Sequence, residues 1–164
     1  MKKQIICHDF KNKKYKISPN KLKFRPSIYG IIIKNNKILL SPQWDGYDFP
    51  GGGVNIDETL EEALIREVWE ETGYNAKMEK IVYSGTSFFT PKEHTTNYED
   101  YWNCIVIYYT CKIISGKISD EHFDVDESRY IKKAEWIDLK NIDKLKFYNS
   151  VDGPKLIRQA IKLK

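Results

Sequence analysis

Gly52-Gly53-Val54-Asn55-Ile56-Asp57-Glu58-Thr59-Leu60-Glu61-Glu62-Ala63-Leu64-Ile65-Arg66-Glu67-Val68-Trp69-Glu70-Glu71-Thr72-Gly73-Tyr74 is the run that decides how the rest of the chain is read. From about Glu58 to Thr72 it predicts an amphipathic helix, in which each residue advances roughly 100°. With Leu60 at zero, Ala63 falls near roughly −60°, Leu64 near roughly +40° and Val68 near roughly +80°, an apolar stripe that faces the core. On the same count Glu67 lies near roughly −20°, Glu71 near roughly +20° and Glu70 near roughly −80°. The last turns therefore aim carboxylates along the azimuth that the first turns give to the core, while Glu61 and Glu62 fall elsewhere, as a solvated face would.

Like charges one turn apart repel, and charged groups are almost never buried without a partner. The spacing points to a cation among Glu67, Glu70 and Glu71, and their hard oxygens suit Mg²⁺ or Mn²⁺. Arg66, four residues before Glu70 and eight after Glu58, is placed to orient these carboxylates by charge-assisted hydrogen bonds. Gly73, just past the helix, reads as a C-cap. Upstream, Pro50 and glycines 51 to 53 break the strand pattern and let the main chain approach a metal or phosphate closely.

The pattern Gly52-x5-Glu58-x7-Arg66-Glu67-Val68-x-Glu70-Glu71-x-Gly73-Tyr74 resembles the Nudix box, and the chain is similar to Nudix (MutT-like) hydrolases. Two places depart from that pattern. Tyr74 stands where an aliphatic residue is usual, and Asn55-Ile56-Asp57 stands where many members carry Glu-x-Gly.

The resemblance implies an α/β fold, a Nudix-type α/β/α sandwich with a central mixed sheet. It implies a divalent-metal-dependent pyrophosphohydrolase in which Glu67, Glu70, Glu71 and the carbonyl of Gly52 are metal ligands. It offers Glu67 or Glu70 as the carboxylate that takes a proton from the attacking water, with Arg66 in the same machinery. A further carboxylate often comes from a loop before a Glu-Trp-type strand, here Glu135-Trp136. That makes Glu127 and Glu121 candidates, with Glu127 carried forward as a ligand. The implied substrate is a nucleoside diphosphate linked to another moiety, as in a nucleoside triphosphate, modified deoxynucleotide, nucleotide sugar or dinucleotide. Substitution at phosphorus would leave two phosphorylated products. Capped RNA ends fall within the same chemistry, and many relatives are homodimers.

Composition agrees with this reading. The 164 residues predict a single domain spanning 1–164, with a strand or hairpin extension over about 1–25. Hydrophobic content of 41% and charged content of 30% are those of a globular protein in water. No apolar run approaches membrane-spanning length, and the Met1-Lys2-Lys3 start leads into a strand-like run, so a cytoplasmic protein with no membrane partner is expected. Cys7, Cys104 and Cys111 are odd in number and lack paired metal-ligand spacing, which favours reduced thiols. A net charge of +4 suits an anionic small molecule and serves solubility equally.

Residues 3–18 suggest a strand or hairpin, and Lys21 to Arg25 a basic connector with a solvated surface rather than a nucleic-acid patch. Ile28–Ile33 and Lys37–Ser41 predict a hairpin around Asn35-Asn36. Strand-like segments follow at 80–89, 101–114 and 130–137, and a helical pattern over about 153–163. Among the aromatics, Trp44 and Tyr47 are the candidates for stacking on a nucleobase; Phe88, Phe89, Tyr101 and Trp102 read as strand core. His94 and Asn149 read as ordinary loop residues. Two other classes compete with the hydrolase: a non-catalytic nucleotide-binding Nudix module, and a prenyl diphosphate isomerase, which would need a catalytic cysteine such as Cys104.

Overall fold

Strand alternation sorts the apolar residues of this chain onto two faces of one sheet, and a helix covers each. The computed structural model describes residues 3–9, 11–43, 45–91, 100–121, 132–148 and 151–163. In chain order the strands are β1 (Ile5–His8), β2 (Lys14–Ile17), β3 (Leu22–Lys34), β4 (Lys37–Gln43), β5 (Gly46–Asp48), β6 (Gly51–Gly53), β7 (Tyr74–Phe89), β8 (Tyr101–Gly116) and β9 (Glu135–Asp138). Helix α1 (Leu60–Thr72) lies between β6 and β7, and α2 (Gly153–Lys162) follows β9.

The sheet order is β2-β1-β7-β8-β3-β4-β5, with β6 added on β3 and β9 on β4. β3 runs parallel to β8 from Leu22 opposite Tyr101 to Ile32 opposite Cys111. The long β7 and β8 are antiparallel, and β1 meets β7 in parallel at His8 opposite Phe89. This is the mixed sheet flanked by helices that the sequence led us to expect. Asn35 and Asn36, both at positive φ (49° and 60°), make the two-residue turn between β3 and β4.

Alternate residues of β3 face opposite helices. Ile28 and Ile32 pack with Leu39, Ala63, Leu64, Val68 and Cys111 beneath α1. Ile31 packs with Ile38, Leu40, Phe49, Val106, Tyr108 and Ile157 beneath α2. Each fully buried Leu or Val contributes about 1.5–3 kcal/mol, so the two faces pin the register of β3, because a one-residue slip would exchange them.

Boundaries differ from the sequence reading most at three places. The expected connector over Lys21 to Arg25 ends a 3-10 turn at Lys21 and then enters β3. β7 starts at Tyr74, straight after the Gly73 cap, not near Lys80, because its outer half is too polar for alternation to reveal it. β9 is Glu135–Asp138; of the residues expected to precede it in the strand, 132–134 are not strand and 130–131 lie outside the described residues. The expected N-terminal hairpin pairs Ile5 with Ile17 through His8 with Lys14. All three cysteines are buried free thiols. Among the described residues no helix is long and apolar enough to cross a membrane.

Candidate active site

Helix α1 starts on a capping box. Glu62 N–H donates to Thr59 Oγ1 over 3.2 Å, and Thr59 N–H donates to Glu62 Oε2 over 2.9 Å, an arrangement worth about 1 kcal/mol. It ends on Gly73, left-handed at φ 74°, whose N–H donates to Trp69 O. Caps at both ends fix where the helix begins and stops, and so fix the azimuth of its glutamates. Glu67 and Glu71 are buried, at 6% and 2% exposure, on the core-facing side.

Arg66 is the hub of the cluster. Its Nε donates to Glu58 Oε1 over 2.5 Å and its Nη2 donates to Glu58 Oε2 over 2.9 Å, a bidentate pair. Nη2 also donates to Gly53 O over 3.1 Å, which ties the helix to β6. Nη1 stands between two carboxylates, 2.9 Å from Glu70 Oε2 and 3.0 Å from Glu67 Oε1. The sequence called for a cation among the glutamates, and here the guanidinium itself fills that role for Glu67 and Glu70. The Arg66 hydrogen bond, helped by the Asn55 N–H, holds the Glu58 carboxyl down to about 2, far below the usual carboxylate range.

Glu67 lies against the backbone of β6. A β-carbon on Gly52 would stand 2.6 Å from each of its carboxylate oxygens, so only glycine leaves room there. β6 is held in place by β3, with Gly52 opposite Ile28. Glu71, one turn further along the same side of α1, is reached from β4: Ser41 Oγ donates to Glu71 Oε2 over 2.6 Å. Buried carboxylate oxygens beside a half-buried glycine backbone are the donor set a hard divalent cation takes. The residues therefore fit such an ion chemically. Among the described residues, however, no three acidic, histidine or cysteine side chains converge on one metal-sized point, since Arg66 gathers Glu67 and Glu70.

On the opposite face of β6 sits a second cation. Arg25, on β3, places its guanidinium over the Trp102 ring at 4.9 Å from the centroid and donates to Ser27 Oγ over 2.8 Å. A β-carbon on Gly53 would stand 3.2 Å from Arg25 Nη2. Gly53 thus has Arg66 on its carbonyl and Arg25 against its α-carbon. Among the described residues no carboxylate pairs with Arg25. Cys104 lies beside it: burial pushes this thiol up and Arg25 pulls it back in part. Buried in the core with its titration raised, Cys104 has the surroundings of a structural thiol.

The other candidates lie elsewhere. Tyr47 donates to Glu135 Oε1 over 3.2 Å and lines a cavity with Pro42, Gly46, Lys132 and Glu135 that none of the α1 carboxylates reaches. Glu121 is exposed beyond β8, with its N–H on Ser119 Oγ. Trp44, Glu127, His94 and Asn149 lie outside the described residues. Sequence reading passed over Ser41 and Arg25. A serine sharing the core face with Leu39 in Ile38-Leu39-Leu40-Ser41 was the available signal for the first. The second shares one strand face with Ser27 and Tyr29, a pattern that shows only where the segment is a strand and not a connector.

Comparison with known proteins decides the family. The profile of the NUDIX domain matches residues 23–159. The chain belongs to the NUDIX domain family. It is a Nudix hydrolase, an enzyme acting on pyrophosphate bonds. It is 33% identical over 161 residues to an ADP-ribose pyrophosphatase of Methanocaldococcus jannaschii, which covers 93% of this chain and 83% of that one. Similarity to an RNA pyrophosphohydrolase of Pasteurella multocida is confined to 64 residues, at 39% identity, covering 37% of this chain and 32% of that protein. In structure, the Nudix hydrolase is similar to an ADP-ribose pyrophosphatase of Streptococcus suis, with a TM-score of 0.60 at 16% identity over 85% of this chain and 90% of that one.

Proposed function

We propose that this Nudix hydrolase is a Mg²⁺-dependent enzyme, with Mn²⁺ as a substitute, that cleaves a nucleoside diphosphate linked to a sugar, as in ADP-ribose. The observation that carries the reading is the pair Glu67 and Glu71, buried one turn apart on α1, with the Glu67 carboxylate laid on the Gly52 backbone. The substrate class is supported by the relative named ADP-ribose pyrophosphatase, whose likeness extends over nearly the whole chain. The RNA pyrophosphohydrolase likeness covers little more than a third of it.

A divalent cation held by Glu67, Glu70 and Glu71 with the Gly52 carbonyl would neutralise diphosphate oxygens and acidify a bound water. The protein's own groups divide the remaining work. Glu70, whose side chain is 28% exposed, is the water-accessible carboxylate of the three and takes the proton of the attacking water. Arg66 holds Glu67 and Glu70 fixed relative to β6. Arg25, spread on Trp102 across β6, meets the anionic substrate, with the ring as an apolar platform beside it.

The test is a panel of ADP-ribose, nucleoside triphosphates, dinucleoside polyphosphates and capped RNA, with products separated by chromatography. The highest kcat/KM is expected for ADP-ribose, giving AMP and ribose 5-phosphate. A preference for any other class by tenfold or more, about 1.4 kcal/mol, would replace the substrate assignment.

A further inference from the structure

We propose that Ser41 is a positioning residue for Glu71, and that its hydroxyl sets how tightly the site takes a divalent cation. The inference rests on the reading of Glu71 as a metal ligand. Ser41 is fully buried, Glu71 is 2% exposed, and the 2.6 Å bond from Oγ to Oε2 joins them across the interface of β4 with α1. A serine hydroxyl has one proton to give, and here it goes to Glu71. Among the described residues Ser41 Oγ has no other partner.

The position is rigid for a reason that the pairing of β4 makes plain. Leu40 is paired with Glu135 of β9, and the very next residue, Ser41, with Asp48 of β5. Ser41 therefore sits where β4 passes from one partner strand to another, with its backbone held on both sides. Leu39 shares its face and packs beneath α1, so an apolar side chain would suit the pattern at 41 equally well. The hydroxyl is the exception in that stripe, and it points at a carboxylate. A short bond from a fixed donor to Oε2 restricts rotation of the Glu71 carboxylate about its terminal torsion, so that an arriving cation meets an oriented ligand. Outer partners of this kind typically change metal affinity about 10- to 100-fold when removed.

A merely structural hydroxyl would satisfy a buried carboxylate and do nothing more. The two roles separate in substrate-free protein. Mn²⁺ binding is followed by electron paramagnetic resonance of the free ion, and thermal unfolding is recorded in EDTA. For Ser41→Ala, Mn²⁺ affinity is expected to fall about 10- to 100-fold, with Ser41→Thr restoring most of the loss. On a Glu71→Gln background, Ser41→Ala is expected to add little to the loss already present, since the two act as a unit. Should Ser41→Ala fail to fold, Ser41→Cys, near in size and a weaker donor, carries the same comparison, with affinity below wild type expected. Wild-type Mn²⁺ affinity in a Ser41→Ala protein that only melts lower would overturn the proposal and leave the metal reading intact. A full loss persisting on the Glu71→Gln background would overturn it too, because Ser41 would then act by another route. Wild-type protein that takes no Mn²⁺ would overturn both the proposal and the metal reading.

Discussion

The Glu67 carboxylate occupies the space that a side chain on Gly52 would need, with both oxygens 2.6 Å from where its β-carbon would stand. Gly51, one residue earlier, is excluded from bearing a side chain for a different reason. Its φ is 148°, and a β-carbon there would meet the Ile28 carbonyl oxygen at 2.2 Å.

These neighbouring glycines should fail differently when changed to alanine. Gly52→Ala meets the end of a side chain that can move, so the fold survives while Glu67 is displaced. A misplacement of that order costs about 100-fold in turnover. Gly51→Ala meets backbone in a strained conformation and should lose about 1–3 kcal/mol of stability. Urea unfolding and kcat for both variants test this; equal stability losses would contradict it.

Arg66 links four acceptors across two elements: Glu58, Glu67, Glu70 and the Gly53 carbonyl. Arg66→Ala should lower stability by about 2 kcal/mol, the scale of charge-assisted hydrogen bonds. Arg66→Lys keeps the charge but lacks the planar fork that spans these acceptors. It should recover part of the stability and little of kcat/KM, as chemical denaturation and steady-state kinetics would report.

The Glu58 carboxyl is held down from an ordinary 4.5 to about 2 by Arg66 and Asn55. A lowered carboxyl favours the folded state above its unfolded value, and that contribution is lost as pH falls through the folded one. The melting-temperature gap between wild type and Glu58→Gln should thus be constant above about pH 5 and close between 4.5 and about 2. The gap should be small, since Arg66 and Glu58 both keep part of their side chains in water, and a gap that widens on acidification would contradict the assignment.

Arg25 on Trp102 is expected to act through substrate binding. Arg25→Ala should reduce kcat/KM by about 10- to 100-fold, the equivalent of one charge-assisted hydrogen bond, mainly by raising KM. Mn²⁺ affinity should be unchanged, because Arg25 and the glutamates lie on opposite faces of β6. Saturation kinetics and Mn²⁺ titration of the same variant check both halves.

Much of this site could be read from the helix alone. A 3.6-residue period is enough to bring Glu67 and Glu71 to the core side and leave Glu61 and Glu62 in water, as their burial and exposure bear out. Asn35-Asn36 announced its hairpin because few residue pairs accept two positive φ angles in succession. Contacts that depend on which strand crosses which helix left a weaker trace. Nothing local in Ser41 tells that it meets a residue thirty positions away. In sequence Arg25 is one more cation in a lysine-rich stretch; β3, starting at Leu22, turns it toward Trp102. The guanidinium between Glu67 and Glu70 was expected to orient the carboxylates, but its place between them depends on rotamers that spacing does not specify.

The most direct test of the central claim is the cleavage of ADP-ribose by purified protein in Mg²⁺, in EDTA, and after replacement of Glu71 by glutamine. Wild-type protein should release AMP and ribose 5-phosphate in Mg²⁺ alone, and Glu71→Gln, still folded, should lose that turnover by a large factor. Cleavage that persists in EDTA, or full activity in folded Glu71→Gln, would contradict the account.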